Sequence, residues 1–242
     1  MDDHSLHSPF VFNLFQQIIS KTDSNIDQKI ELLRKDLLSD NSKISLADFG
    51  AGSRVSAKKV RIVKDITKHS STPPKFSALL NSLIAHFNFQ TVIELGTSLG
   101  LNTLYLSKNQ QVEVNTFEGD ESLVQLAQKN FNAFNRSNIK VISGNIDHTL
   151  EESLDSITQV DLAYIDANHR YEPTIRYYKT ILNKIHSKSL VVLDDIHWPK
   201  EMIQAWKEIK SRPEIIVSID LFEGGLLFFD PELTPGEYVL KF

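Results

Sequence analysis

Apolar positions along the chain fall into two regimes. From Ser8-Pro9 onward, Phe10, Val11, Phe12, Leu14, Phe15, Ile18 and Ile19 recur at a spacing that lines one broad helix face. The proline stands at the start of that face, where its missing N–H is harmless. Ile26, Ile30, Leu33 and Leu37 predict a second helix, and Val55, Val60, Val63 and Ile66 predict a third over 54–68. Ser71-Thr72-Pro73-Pro74 is the clearest punctuation in the chain. It divides a helical N-terminal segment, 1–72, that would serve as a cap or lid, from a larger domain, 73–242.

Beyond that boundary, short apolar runs at 91–95, 112–117, 139–143, 160–166, 190–194, 215–221 and 226–229 predict strands. Helical patterns at 101–107, 121–134, 173–185 and 200–210 fill most of the gaps, which signals parallel βαβ units. Only Phe222-Glu223-Gly224-Gly225 separates the last two runs, too short a link for a parallel crossover, so they must form an antiparallel hairpin. The expected fold class is α/β: a seven-stranded, mostly parallel sheet with a C-terminal antiparallel hairpin, preceded by the helical segment.

Composition narrows the class of protein. At 242 residues and 41% hydrophobic, the chain can bury a core. No apolar run approaches the roughly 18–20 residues of a membrane span. Met1-Asp2-Asp3-His4-Ser5 lacks the basic and apolar regions of a signal peptide, so a cytoplasmic location is expected. With no cysteine there are no disulfides, thiolate metal sites or cysteine nucleophiles. A net charge of -5 argues against nucleic acid as the main partner. Arg54, Lys58, Lys59, Arg61, Lys64 and Lys68 concentrate positive charge in one stretch, which reads as a solvated helix face before it reads as a phosphate clamp.

The strongest chemical signal is Val92-Ile93-Glu94-Leu95-Gly96-Thr97-Ser98-Leu99-Gly100, a strand entering a glycine-bearing turn and then a helix. Phe117-Glu118-Gly119-Asp120 places an acid at the end of the following strand, where it can accept both hydroxyls of a ribose. The glycine spacing is not that of a dinucleotide fingerprint, and no lysine follows as in a P-loop. Asp166 ends the fourth strand of the larger domain, and Asp194-Asp195 end the fifth, its expected neighbour. Three carboxylates there suit a hard divalent ion such as Mg²⁺. His169, on the loop after Asp166, is a candidate general base. His197 before Trp198-Pro199 is either solvated or part of an acceptor pocket, and His4 and His7 have no spaced partner. Asp48-Phe49-Gly50-Ala51-Gly52-Ser53 is a second glycine motif, but Ile44-Ser45-Leu46-Ala47 before it makes a poor buried strand, so it reads as a loop.

The region 91–230 resembles the class I S-adenosylmethionine-dependent methyltransferases, whose sheet is Rossmann-like. Glu94-Leu95-Gly96-Thr97-Ser98-Leu99-Gly100 is similar to the first motif of the catechol O-methyltransferase-like branch, and Glu118 matches its ribose-binding acid. Ser143-Gly144-Asn145-Ile146 matches the motif that borders the adenine. The resemblance implies a cofactor site of Glu94, Gly96, Thr97, Ser98, Gly100, Glu118, Gly144, Asn145, Ile146 and Asp166. It also implies a metal site of Asp166, Asp194 and Asp195 and catalysis by Asp166 and His169, whose spacing is similar to that of the macrolide-sugar O-methyltransferases. The catechol branch has asparagine where Asp195 stands. The implied activity is methyl transfer from S-adenosylmethionine to an oxygen of a small-molecule acceptor, with no membrane partner and a homodimer left open. The alternatives are a methyltransferase on RNA or protein, or a noncatalytic S-adenosylmethionine-binding protein. The Asn/Asp-Pro-Pro-aromatic motif of amino-methylating nucleic-acid enzymes is absent.

Overall fold

The structure, a computed structural model, describes residues 8–46 and 59–242. Ser8 caps α1 (Pro9–Gln17) through its hydroxyl, with proline in the first turn. A 3₁₀ turn (Ile19–Asn25) leads to α2 (Gln28–Ser39), where Asp27 accepts from Lys29 N and Ile30 N. β1 (Lys43–Leu46) and β2 (Lys59–Ile62) then form an antiparallel ribbon, with Ile44 opposite Arg61. α3 (Val63–His69) and α4 (Pro74–Phe87) follow.

Two expectations for this segment are corrected here. Among its described residues the basic stretch pairs as a strand over 59–62 and is helical from Val63, while 54–58 lie outside the described residues, and 43–46 form the partner strand where 44–47 read as a poor buried strand. Ile44 and Leu46 pack on the core while alternate positions stay wet, a half-buried pattern that suits a ribbon and not a buried strand. The 48–53 glycine motif, His4 and His7 lie outside the described residues.

The main sheet comprises β3 (Thr91–Leu95), β4 (Glu113–Glu118), β5 (Ile139–Ser143), β6 (Val160–Ile165), β7 (Ile185–Asp194), β8 (Val217–Asp220), β9 (Gly224–Phe228) and β10 (Gly236–Val239). Its order is β10-β8-β9-β7-β6-β3-β4-β5. Only β9 runs antiparallel, to β7 on one side and β8 on the other, which is the expected terminal hairpin. The sheet has eight strands where seven were expected, since β10 adds parallel to β8 at the edge. β7 starts at Ile185, inside the expected helix, because α8 (Tyr171–Leu182) ends early and a bulged register lets His186 reach Asp161. Gly224 and Gly225 belong to β9 and not to the turn. A Cβ at Gly225 would lie 2.5 Å from the Trp206 ring, so the glycine there permits close packing.

Strand positions alternate between two apolar faces. Val92, Leu162, Tyr164 and Val192 face a core shared with Val11, Leu14 and the buried residues of α4. Ile93, Leu95, Ile165 and Leu193 face a second core, which also holds residues of α7 (Ile146–Asp155), α8 and α9 (Lys200–Lys210). A third core joins Ile30, Leu37, Val63 and Ile66 to α5 (Leu101–Leu106) and α6 (Glu121–Ala133). The N-terminal segment therefore takes part in two of the three cores. Among the described residues, no helix is long and apolar enough to cross a membrane.

The chain runs β3, β4, β5 in one direction and then returns to place β6 on the other side of β3. That reversal opens a crevice at the carboxyl ends of β3, β4 and β6, the position where open α/β sheets bind ligands.

Candidate active site

A cleft of about 690 Å³ occupies this crevice. Its floor is the turn after β3. Gly96 has φ +102, and a Cβ there would sit 2.0 Å from the Asp166 carbonyl oxygen, so only glycine lets the ends of β3 and β6 approach. Gly100, at φ +78, opens α5, and a Cβ there would strike the Phe131 ring at 2.4 Å. Between them Ser98 also holds a positive φ of +49. Its hydroxyl is buried without a hydrogen-bond partner, and Ser98 lines the cleft. An orphaned donor on the cleft wall fits a polar ligand.

Glu118, at the end of β4, lines the same wall. Its Oε2 accepts from Ser98 N at 2.8 Å and its Oε1 from Asp120 N at 3.0 Å. Two backbone donors fix the carboxylate, and each oxygen keeps a lone pair for the cleft. Burial raises its pKa, against the lowering effect of those donors. Asn145 and Ile146, at the start of α7, line the wall beside Glu118, with Asn145 Oδ1 capping the helix through Asp147 N.

Four of the expected cofactor residues stand behind the wall. Glu94 is fully buried and receives Asn102 Nδ2 at 2.8 Å, Thr103 Oγ1 at 2.5 Å and Thr116 Oγ1 at 2.6 Å. Thr97 Oγ1 closes this network onto Thr116 Oγ1 at 2.6 Å. Desolvation pushes the Glu94 pKa up to about 7 despite three donors. Its carboxyl thus ties β3, β4 and α5 together beneath the turn. Thr97, Gly100 and Gly144 likewise shape the turns without lining the cleft.

The same cleft holds Asp166, His169, Asp194 and Asp195. Asp166 Oδ1 lies 3.3 Å from His169 Nε2, and Asp195 Oδ2 lies 3.6 Å from His169 Nδ1. The Asp166 and Asp194 carboxyl groups are close neighbours. Burial first, and then neighbouring acids, push Asp166 up to about 8 and Asp194 well above its ordinary value. A pair so placed shares a proton. Asn168, His169 and Asp195 have φ of +69, +41 and +52. Three non-glycine residues in the left-handed region at one site mark a backbone held there by its surroundings.

The expected Mg²⁺ site does not fit this arrangement. Among the described residues, no group of three or more His, Asp or Glu is disposed to hold a metal ion. Asp166 turns Oδ1 to His169 and Oδ2 to Thr72 and Tyr164, and Asp195 turns to His169. His197 does not line the cleft. It pairs with Asp220 at 2.8 Å and stacks on Phe222.

Sequence reasoning read segment 1–72 as a cap or lid but named none of its cleft residues: Leu46, Arg61, Ile66, His69 and 70–72 line the cleft, with Pro73 beside them. Ser122 Oγ donates to Ser45 O and holds the ribbon against α6. The available signal was the Ser71-Thr72-Pro73-Pro74 break, read there only as punctuation.

The cleft lies where an open Rossmann-like sheet binds its ligand, and residues 93–196 match the family described as "Methyltransferase domain". No curated protein matches the chain's sequence. Among solved structures, it is similar to a putative caffeoyl-CoA O-methyltransferase from Staphylococcus aureus, at 15% identity and a TM-score of 0.64, covering 91% of this chain and 97% of that one. The SAH-bound methyltransferase PaMTH1 of Podospora anserina aligns at 15% identity and a TM-score of 0.58, over 66% of this chain and 80% of that one. An O-methyltransferase from Bacillus cereus in complex with SAH aligns at 15% identity and a TM-score of 0.56, over 66% and 82%.

Proposed function

We propose that this protein transfers a methyl group from S-adenosylmethionine to an oxygen of a small-molecule acceptor. The single observation that carries this is one cleft holding both Glu118, with its two carboxylate oxygens fixed by backbone donors, and the Asp166–His169 pair. Glu118 would hold the ribose hydroxyls, Asn145 and Ile146 would flank the adenine, and the Gly96–Ser98 turn would face the sulfur end. Glu118, Asp120, Asp166, Asp194, Asp195 and Glu223 line the cleft against Arg61 as its one full cation among the described residues. That negative surface favours a sulfonium and opposes a phosphate backbone, which supports a small acceptor over RNA.

Bound there, the cofactor supplies a methyl group already activated by the sulfonium charge. The protein aligns the acceptor and excludes water, for which the wall of 70–73 and the ribbon are placed. We accordingly read segment 1–72 as a cap over the cleft, and the location as cytoplasmic. His169 would donate Nε2–H to Asp166 and act as base through Nδ1, where Asp195 Oδ2 at 3.6 Å would stabilise the imidazolium that forms. Nδ1 then takes the hydroxyl proton as the oxygen–carbon bond forms and the carbon–sulfur bond breaks, with its electron pair left on sulfur. Such base assistance contributes about 10²–10⁴ in rate. Mg²⁺ enters no step.

The test is incubation with methyl-deuterated S-adenosylmethionine and a panel of phenols, catechols and aliphatic alcohols, with product read by mass spectrometry. A deuterated methyl ether should form and His169→Ala should suppress it. Cofactor binding with no product across the panel favours a noncatalytic binding protein, and product on nitrogen or on RNA refutes the oxygen assignment.

A further inference from the structure

The Asp166 carboxyl is flanked by one hydroxyl from its own strand, Tyr164, and one from the N-terminal segment, Thr72. Its Oδ2 lies 3.4 Å from both Thr72 Oγ1 and Tyr164 OH, and those hydroxyls lie 3.3 Å from each other. Asp194 interacts with the Tyr164 hydroxyl as well, so that hydroxyl lies beside both acids. Neither hydroxyl has freedom to leave. Tyr164 is fully buried, with the Phe76 ring 6.2 Å from its own. Thr72 is 6% exposed and precedes Pro73, which restricts it to extended backbone. Ser77 N donates to Pro73 O, fastening that proline to the first turn of α4.

We infer that Thr72 and Tyr164 are positioning residues that lock the Asp166 carboxyl with Oδ2 toward the hydroxyls and Oδ1 toward His169. The inference rests on the Asp166–His169 reading above and adds the device that aims the pair. A carboxylate at a strand end has several rotamers open to it, and the donors around it select one. Two hydroxyl protons serve three contacts in the triangle. Thr72 is placed to donate to Oδ2 and Tyr164 to Oδ2 or to Asp194, and the contacts of both hydroxyls with Asp166 are to Oδ2 and not Oδ1. That oxygen is left for His169 Nε2. Contacts of 3.3–3.4 Å are long for hydroxyls. Thr72 belongs to the N-terminal segment, so the catalytic pair is aimed only when that segment is docked on the sheet.

The test compares wild type, Thr72→Val, Thr72→Ser and Tyr164→Phe. With the acceptor that wild type uses, kcat should fall about 10- to 100-fold in Thr72→Val and Tyr164→Phe, while the KM for the cofactor stays near wild type. Thr72→Ser, which keeps the hydroxyl, should recover most of kcat. A purely structural role predicts instead that rate follows melting temperature. Crystal structures of the SAH complexes give a readout without turnover: in Thr72→Val and Tyr164→Phe the Asp166 carboxyl should rotate out of reach of His169. If Tyr164→Phe does not fold, Thr72→Val carries both arms. Retention of the Asp166–His169 contact together with an unchanged kcat overturns the inference. Failure of every acceptor with wild type counts against the oxygen-methylation reading alone, because the crystallographic arm still decides the positioning role.

Discussion

Replacing Glu118 should weaken cofactor binding by an amount that its surroundings set. In the folded protein both oxygens are already engaged, Oε2 by Ser98 N at 2.8 Å and Oε1 by Asp120 N at 3.0 Å. The cleft-facing lone pairs are what a ribose would use. Hydrogen bonds to a charged group contribute about 1.5–3 kcal/mol, so Glu118→Ala should raise the Kd for S-adenosylhomocysteine about 10- to 150-fold. Glu118→Gln should do little better. Its amide would turn N–H groups toward a backbone N–H that needs an acceptor, either at Ser98 or at Asp120, and leave a buried donor unpaired. Isothermal titration calorimetry measures the Kd, and the melting temperature without ligand separates binding from loss of fold. An analogue lacking both ribose hydroxyls should bind the wild type and Glu118→Ala alike, which closes a double-mutant cycle on the proposed contact. Undiminished affinity in a folded Glu118→Ala protein, or an equal loss for the dideoxy analogue, would refute the placement of the ribose.

Two further outcomes follow from the buried acids. Glu94 has a folded pKa of about 7 against an ordinary 4.5, so the folded state binds its proton more tightly. Its contribution to stability is present below pH 4.5 and is lost as pH rises through 7, about 3 kcal/mol in all. Glu94→Gln should remove that slope, and urea unfolding at pH 5 and pH 8 with the same slope in both proteins would rule it out. Since Asp166, Asp194 and Asp195 do not assemble a cation site, turnover should survive chelation by EDTA and gain nothing from added Mg²⁺. Loss on chelation with recovery on Mg²⁺ would restore the metal.

The central strands were legible because they are buried on both faces. Val92-Ile93 and Leu162-Ala163 send neighbouring side chains to opposite cores, and a strand under that constraint must be apolar at nearly every position. The peripheral strands carry no such mark. β10 (Gly236–Val239) alternates half-buried and exposed positions at a sheet edge, and Val239 is 60% exposed. β1 and β2 lie in a basic stretch whose valines also match a helical period. Their pairing is decided by what they pack against, which a local pattern does not contain.

The site divides along the same line between local and distant causes. Gly96, Ser98 and Gly100 form one turn, and Glu118 follows at the end of the adjacent strand, so their spacing in sequence maps onto their spacing in space. Thr72 and Tyr164 meet across 92 residues, and nothing near either one announces the other. The acids show how spacing can mislead. Strand order brings Asp166 and Asp194-Asp195 to one edge, and three oxygen donors there suit a divalent ion as a count. Whether they ligate depends on side-chain direction. The positive φ at Asp195 turns it to His169, while burial makes proton sharing between Asp166 and Asp194 cheaper than two bare charges. With His169 held between Asp166 and Asp195, two of the three acids serve an imidazole in place of a cation, and the hydroxyls of Thr72 and Tyr164 meet the other oxygen of Asp166.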